Sequence, residues 1–239
     1  MTMKTRKLIP ALVLGCSISA QAGTYDPTYS SGFANSGDIP IGNTAGWSDS
    51  ETVTSSEVSG TISSITVNLD ITGGYNGNLY GYLEYDGVLV TLLNRVGVSS
   101  SSAFGYSDSG FNITFSSTAA NNIHSYQNYS PIYGSGQLTG TWAPDGNTIS
   151  PISPAADFNA NPGGTGLTSF NGLNPDGTWT LFLADVVSGG GQAQVASYGV
   201  DITTVPVAVP EPGGLLSAGL FLLGILLRKD RARKGGHSA

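Results

Sequence analysis

Between residues 65 and 71 the sequence alternates strictly between apolar and polar side chains, and this run constrains the fold more than any other feature. It reads Ile-Thr-Val-Asn-Leu-Asp-Ile, so every odd-numbered position is apolar. A period of two is typical of a half-buried β-strand. Similar runs occur at 111–115, 178–183 and 198–202, which predicts several strands of the same kind.

A hairpin is predicted between residues 79 and 93. The dipeptide Asp86-Gly87 is a turn signal, and it separates two strand-like runs at 79–85 and 88–93. In the first run, alternation places one set of side chains opposite Leu79, Gly81 and Leu83, namely Tyr80, Tyr82 and Glu84. This run therefore alternates less cleanly than the others.

The body of the chain has no apolar period of 3.6 residues, and turn residues separate its short apolar runs. This pattern predicts an all-β fold, and it favours a jelly-roll β-sandwich of about eight strands. We assign the sandwich to residues 52–204. A Gly- and Ser-rich lead-in at 23–51 either precedes the sandwich or belongs to it. The proline-rich stretch 116–162 is predicted to be mostly loop, with its most ordered part at 137–144.

The first 22 residues have the three parts of a secretory signal peptide. A basic start and an apolar run at 8–15 precede Ala20-Gln21-Ala22, so cleavage is expected between Ala22 and Gly23. A competing interpretation treats Val13-Leu14-Gly15-Cys16 as a lipobox with a lipidated Cys16. Under the first interpretation the single cysteine is removed, and the mature chain has neither disulfides nor thiol chemistry.

Residues 205–239 form a tail with its own signals. The uncharged apolar segment 213–227 would be about 22 Å long as a helix, against a hydrocarbon core of about 30 Å, so it predicts a single transmembrane helix of minimal length. A basic end follows it, and the positive-inside rule keeps that end in the cytoplasm. Its residues are Arg228, Lys229, Arg231, Arg233 and Lys234.

The tail resembles the PEP-CTERM sorting signal of Gram-negative bacteria. The resemblance rests on the order of the motif Val209-Pro210-Glu211-Pro212, the short apolar segment and the basic end. It implies recognition of the motif by an exosortase-type membrane peptidase and removal of the tail. The body, held at first on the periplasmic side of the inner membrane, would then pass to the cell surface or biofilm matrix. The alternative is a plain membrane anchor that is retained.

The charge of the body excludes one class of partner. Of the nine Lys and Arg residues only Arg95 lies between residues 23 and 209, whereas all Asp and Glu residues except Glu211 and Asp230 lie there. Such a surface repels phosphate backbones, so nucleic-acid binding is not expected. It also repels anionic lipids and acidic polysaccharides unless a divalent cation bridges them.

Three blocks of the body resemble, in order, the P domain (P/Homo B domain) of kexin- and furin-like proprotein convertases and some bacterial subtilisin-like proteases. They are 65–95, with Tyr75-Asn76-Gly77-Asn78-Leu79; then 138–144; and then 170–202, with Gly177-Thr178-Trp179-Thr180-Leu181 and an Asp four residues on. The resemblance covers about 52–204 and implies an eight-stranded jelly roll. In those enzymes the P domain stabilises a neighbouring catalytic domain. The long insert between Trp142 and Phe170 departs from the family pattern.

No enzyme is predicted. A serine hydrolase needs a histidine oriented by a carboxylate, and the body has only His124, in a loop where a solvated polar side chain is the simpler interpretation. A Gly-x-Ser-x-Gly elbow is absent from the sequence. One histidine without cysteine also argues against zinc. The acids are too numerous for a glycosidase pair to be singled out.

Two weaker site predictions remain. Calcium is the ion that the oxygen-rich composition favours, and the candidate ligands are Asp70, Asp86, Asp108 and Asp185, although Asp185 could equally tie down its own loop through backbone N–H groups. The tyrosines predict a glycan-binding surface, because exposed aromatic faces stack on sugar rings. The candidates are Tyr75, Tyr80, Tyr82 and Tyr85, with a second cluster at Tyr126, Tyr129 and Tyr133; the alternative is that these tyrosines pack in the core.

The sequence thus predicts a non-enzymatic, exported surface or matrix protein that acts by adhesion or binding. Its expected partners are signal peptidase, the exosortase-type peptidase and extracellular polysaccharide. Two alternatives stay open: an accessory subunit that stabilises or targets a separate subtilisin-like serine protease, and a glycan-active enzyme.

Overall fold

The alternating run at 65–71 lies in the middle of a 13-residue strand, Thr61–Gly73. The computed structural model describes residues 28–33, 37–41, 46–160 and 166–206. Within these ranges the chain forms two β-sheets whose apolar faces share one core. The prediction of an all-β sandwich is confirmed.

Eleven strands occur in the described residues. In chain order they are β1 (Thr28–Phe33), β2 (Gly37–Ile39), β3 (Trp47–Val53), β4 (Thr61–Gly73), β5 (Leu79–Tyr85), β6 (Val88–Asn94), β7 (Phe111–Ser116), β8 (Tyr133–Gly134), β9 (Gln137–Trp142), β10 (Gly177–Asp185) and β11 (Ala193–Val205). Four short 3₁₀ turns join them, at Asn76–Asn78, Ile123–Tyr129, Ala155–Ala160 and Leu167–Phe170.

The larger sheet has the order β1-β11-β4-β7-β9-β8, and β2 also pairs with β11. Strands β1 and β2 therefore add the lead-in segment to the sandwich. Its pairs are antiparallel except β7 with β9, which run parallel. A parallel pair requires a long crossover, and the segment 117–136 supplies it. This pairing departs from a purely antiparallel jelly roll.

The smaller sheet has the order β3-β10-β5-β6 and is antiparallel throughout. Alternation directs Trp179, Leu181 and Leu183 of β10 into the core, where all three are buried. Opposite them, the odd-numbered residues between 65 and 71 of β4 are buried as the sequence predicted. The intervening side chains of β10 and β5 consequently face away from the core.

The described residues contain no helix long and apolar enough to cross a membrane. The predicted signal peptide and its cleavage site lie outside the described residues. So do the motif at 209–212, the apolar segment 213–227 and the basic end. Those assignments therefore remain predictions.

Candidate functional site

Three aromatic side chains meet on the outer face of the smaller sheet. Tyr82 in β5 pairs with Phe182 in β10, and their rings stack with centroids 5.0 Å apart and planes 17° apart. The ring centroid of Tyr80 lies 5.9 Å from that of Tyr82 and 6.3 Å from that of Phe182. All three side chains are half-buried. They form a surface cluster that we call the aromatic platform.

Hydroxyl groups extend the aromatic platform across the sheet. The Oγ atom of Ser50 lies 2.9 Å from Oγ1 of Thr180, and a similar pair, Thr52 and Thr178, joins the same two strands at 3.2 Å. Each hydroxyl both donates and accepts hydrogen bonds. Glu84, which is exposed on the same face of β5, adds a negative charge.

The two tyrosines of the aromatic platform are neutral at physiological pH. Burial raises the pKa of Tyr80, and the nearby phenol of Tyr82 adds to this effect. Burial also raises the pKa of Tyr82, reinforced by the charge of Glu84. Both phenols therefore keep their protons and can donate as well as accept hydrogen bonds.

The other two tyrosines of the predicted glycan surface lie elsewhere. Tyr85 is buried and stacks on Trp179, with ring centroids 4.0 Å apart and planes 4° apart. Its hydroxyl donates to the carbonyl groups of Asn174 and Asp176, so Tyr85 is a core residue and offers no face to a ligand. Tyr75 is 43% exposed, but its ring packs against Gly190.

Sequence reasoning missed Phe182 as a member of the surface. The signal was present, because a strand that directs Trp179, Leu181 and Leu183 inward must direct Phe182 outward. Only the register between β10 and β5 places Phe182 opposite Tyr82.

Three of the four predicted calcium ligands have neighbours that differ from one residue to the next. Asp70 accepts a hydrogen bond from Nε2 of Gln137 at 2.6 Å, and Asp86 occupies the exposed β5–β6 turn with a φ of 50°. Asp108 accepts three hydrogen bonds from side chains of the 126–133 segment. Within the described ranges, no group of three or more His, Cys, Asp or Glu side chains is arranged to hold a metal. Calcium binding by these acids stays a prediction.

Asp185 is the fourth candidate, and its carboxyl group is fully buried. Its Oδ1 atom accepts a hydrogen bond from the N–H of Val187 at 3.2 Å, as expected if it ties down its own loop. Its Oδ2 atom has no hydrogen-bond partner among the described residues. Burial raises the pKa of Asp185 to about 6, although the Val187 hydrogen bond opposes this.

His124 is not the solvated loop residue that the sequence suggested. Its Nδ1 atom lies 2.8 Å from Oδ2 of the buried Asp145, and its Nε2 atom lies 3.0 Å from the carbonyl oxygen of Val98. Both ring nitrogens face groups that only accept hydrogen bonds, so the doubly protonated imidazolium fits best. Burial alone would lower the pKa of His124, but Asp145 and the Val98 carbonyl raise it above 6.5.

This His–Asp pair has the wrong surroundings for nucleophilic catalysis. In a catalytic triad the second imidazole nitrogen accepts the proton of a serine or cysteine nucleophile. In this protein a main-chain carbonyl occupies that position, and the nitrogen must donate to it. The pair therefore links the 94–98 loop, the 123–129 turn and the 143–147 loop as a structural contact.

Comparison with known proteins finds only a weak structural likeness. No family model and no curated protein matches the chain. Among solved structures, the serine protease of Aeromonas sobria is similar, both in complex with its chaperone ORF2 (TM-score 0.41) and alone (TM-score 0.39). Both comparisons have 12% identity and cover 77–78% of this chain. The chain spans 28% of the length of each, and a likeness this weak supports no assignment of activity.

Proposed function

We propose that this protein is a non-enzymatic, exported module that binds polysaccharide at the cell surface or in the extracellular matrix. The observation that carries the proposal is the stacked pair Tyr82 and Phe182 on an outward sheet face, with the hydroxyl pairs of β3 and β10 beside it.

The chemistry of this face fits a sugar polymer. Aromatic rings offer a flat apolar surface to the C–H face of a sugar ring, while Ser50 and Thr180 supply hydroxyls that can exchange hydrogen bonds with sugar hydroxyls. An extended sheet face also matches the length of a polymer rather than a single small molecule. The acidic body disfavours polyanions, so the expected ligand is a neutral or basic polysaccharide.

The two termini support the export part of the proposal. The signal-peptide pattern at 1–22 and the PEP-CTERM-like tail imply secretion followed by exosortase-type processing. The intact mass of the protein from native cells tests this. A species that begins at Gly23, ends near Glu211 and has left the inner membrane is the expected result. A species that keeps residues 213–234 in the inner membrane would contradict sorting and leave a tethered periplasmic domain.

Affinity electrophoresis in gels containing neutral polysaccharide, such as hydroxyethyl cellulose or the native exopolysaccharide, tests the binding surface. Phe182→Ala should abolish the retardation by polysaccharide because it removes half of the stacked pair. Phe104→Ala is the matched control, since Phe104 is 74% exposed in a loop outside the smaller sheet. Equal retardation of the wild type and both variants would refute the assignment of this face.

A second candidate is an accessory subunit of a separate subtilisin-like protease. It is favoured by the three P-domain-like blocks, of which Gly177-Thr178-Trp179-Thr180-Leu181 is the most specific. Affinity purification from native cells tests it. A co-purifying serine protease whose thermal stability drops when this chain is removed would support the accessory role. Purification of the chain without a protease would argue against it.

A further inference from the structure

Asp108 is the centre of a polar cluster remote in sequence from the aromatic platform. Its Oδ2 atom accepts hydrogen bonds from the hydroxyl of Tyr126 at 2.7 Å, Nε2 of Gln127 at 2.6 Å and the hydroxyl of Tyr133 at 2.9 Å. Three donors therefore converge on one carboxylate oxygen, which limits the donors that the cluster can offer a ligand.

Most donors of the cluster are already used. The amide of Asn76 donates to the Tyr126 oxygen at 3.2 Å, which directs the Tyr126 proton towards Asp108. The Tyr133 proton and an N–H of Gln127 also point at Oδ2. The opposite oxygen, Oδ1 of Asp108, receives no hydrogen bond from any described residue. What remains for a ligand is mainly acceptors, namely Oδ1 of Asp108, the lone pairs of the Tyr133 hydroxyl and Oε1 of Gln127, together with the second N–H of the Gln127 amide.

The cluster is accessible and negatively charged. Asp108 is half-buried, Gln127 is exposed and Tyr133 is 43% exposed. Burial would raise the pKa of Asp108, but the hydrogen bonds from Gln127, Tyr126 and Tyr133 outweigh it and lower the pKa below its ordinary value. The carboxylate is therefore ionised at neutral pH.

The backbone around Asp108 is held in place by the turn at 76–78. The N–H of Asn76 donates to the carbonyl of Asp108 at 2.9 Å, and the N–H of Gly77 donates to that of Tyr106 at 2.8 Å. The two segments approach so closely that a Cβ on Gly77 would lie 2.4 Å from the carbonyl oxygen of Phe104. Tyr106 in turn packs edge-on against Tyr126, with centroids 4.7 Å apart. The acceptors are thus fixed before a ligand arrives, which lowers the cost of binding.

We propose that the cluster of Asp108, Gln127 and Tyr133 binds a primary ammonium group, supplied by an amino-sugar residue of the polysaccharide. An ammonium group has three donors and no acceptor, which complements a site whose free groups are mostly acceptors around a negative charge. A neutral sugar hydroxyl has no charge to complement that of Asp108. A calcium ion would need more oxygen ligands than one carboxylate and its neighbours supply.

The choice of an amino sugar over a lysine side chain rests on the proposed function, in which the ligand is a polysaccharide. The acidic body favours such a basic polymer over an acidic one. The partly exposed ring of Tyr133, whose hydroxyl donates to Asp108, also gives the sugar ring an apolar surface.

The test measures binding of glucosamine oligomers by calorimetry to the full-length chain, in a detergent without sugar headgroups. Work at about 0.15 M salt screens non-specific attraction between exposed charges. Asp108→Asn should weaken binding at least tenfold. Tyr133→Phe should weaken it severalfold while keeping the ring, and it serves as the readout if Asp108→Asn fails to fold. Asp86→Asn removes the same charge from an exposed turn and should change affinity less than twofold.

Comparing different ligands distinguishes the possible sources of the ammonium group. N-acetylglucosamine oligomers, which have the same rings without the ammonium group, should bind at least tenfold more weakly than glucosamine oligomers. Equal binding of the two oligomers would overturn the ammonium assignment. If Asp108→Asn and Asp86→Asn weaken binding equally, the loss of affinity reflects only the net charge of the protein, and the proposed site is refuted. Tighter, Asp108-dependent binding of oligolysine would overturn the amino-sugar occupant in favour of a protein partner.

The Phe182→Ala variant distinguishes failure of this inference from failure of the proposed function. If Phe182→Ala abolishes binding of neutral polysaccharide but keeps the Asp108-dependent binding of glucosamine oligomers, both surfaces are supported. If binding of neutral polysaccharide depends on Phe182 while binding of glucosamine oligomers does not depend on Asp108, only the ammonium site is refuted. If glucosamine oligomers bind through Asp108 and no polysaccharide depends on Phe182, the aromatic platform is refuted and the ammonium site stands.

Discussion

Replacing Asp145 by Asn should strongly destabilise the fold. The carboxylate is buried and accepts from Nδ1 of His124 at 2.8 Å, the N–H of Asn94 at 3.1 Å and the N–H of Asn147 at 3.3 Å. The side-chain amide of the asparagine keeps one oxygen acceptor. Its NH₂ group, however, takes the place of a carboxylate oxygen that accepted a hydrogen bond. The His124 side chain, 22% exposed, would lose its counter-charge.

The size of the effect follows from these contacts. Breaking a buried ion pair by removing one partner costs about 3–5 kcal/mol. Water can reach part of the His124 ring, so the lower end, about 3 kcal/mol, is expected. For a domain of this size that corresponds to a fall in Tm of about 6–12 °C. Urea unfolding monitored by tryptophan fluorescence measures the free energy, and Asp157→Asn, an exposed acid in the 155–160 turn, should change it by less than about 0.5 kcal/mol.

The pH dependence identifies the cause. The folded pKa of His124 is raised above its unfolded value of 6.5, so its stabilising contribution is complete below pH 6.5 and is lost as pH rises through the folded pKa. The deficit of Asp145→Asn relative to wild type should therefore be largest in acid and shrink in alkali. A deficit that stays constant from pH 5 to 9, or an NMR titration of His124 with a pKa below 6.5, would refute the imidazolium assignment.

Three further changes test the core. Tyr85→Phe should cost about 1–2 kcal/mol in urea unfolding, because it loses the hydroxyl's bonds to two carbonyls but keeps the stack on Trp179; no loss would show that these bonds contribute nothing net. Phe170→Ala should cost about 3–5 kcal/mol in the same assay, since the buried ring packs against Trp179; a loss below about 1 kcal/mol would contradict its core position. Asp185 has a pKa raised from 3.8 to about 6, so folding favours its protonated form and stability falls as pH rises through that interval. Asp185→Asn should remove this fall, gaining on the order of 2 kcal/mol on wild type between pH 4 and 7.5; parallel stability curves would contradict it.

Local sequence was sufficient to predict the strands and the direction in which most of their side chains point. Because a strand repeats every two residues, the apolar set Ile65, Val67, Leu69 and Ile71 had to share one face, and all four are buried. The same rule placed Tyr80 and Tyr82 opposite Leu83. Applied one step further, it would have assigned Tyr85 to the core with Leu83, since both are odd-numbered residues of one strand.

Contacts between distant segments were beyond the reach of this rule. Nothing in the loop around His124 indicates that Asp145 lies beside it, because that contact depends on where the 143–147 loop crosses the end of β6. The cluster at Asp108 likewise combines a loop before β7 with side chains 18–25 positions later. The composition indicated that side-chain oxygen atoms are plentiful, but it could not predict how they are arranged around Asp108.

Alternation of apolar and polar residues is a local property, so each segment alone was enough to predict that this body forms half-buried strands. Which strands became neighbours depended on how the whole chain packs. The antiparallel register of β5 and β10 set Phe182 beside Tyr82, and the parallel pairing of β7 with β9 brought the 126–133 segment back to Asp108. Register is fixed by the summed packing of whole sheet faces, so no single segment specifies the binding surfaces that depend on it.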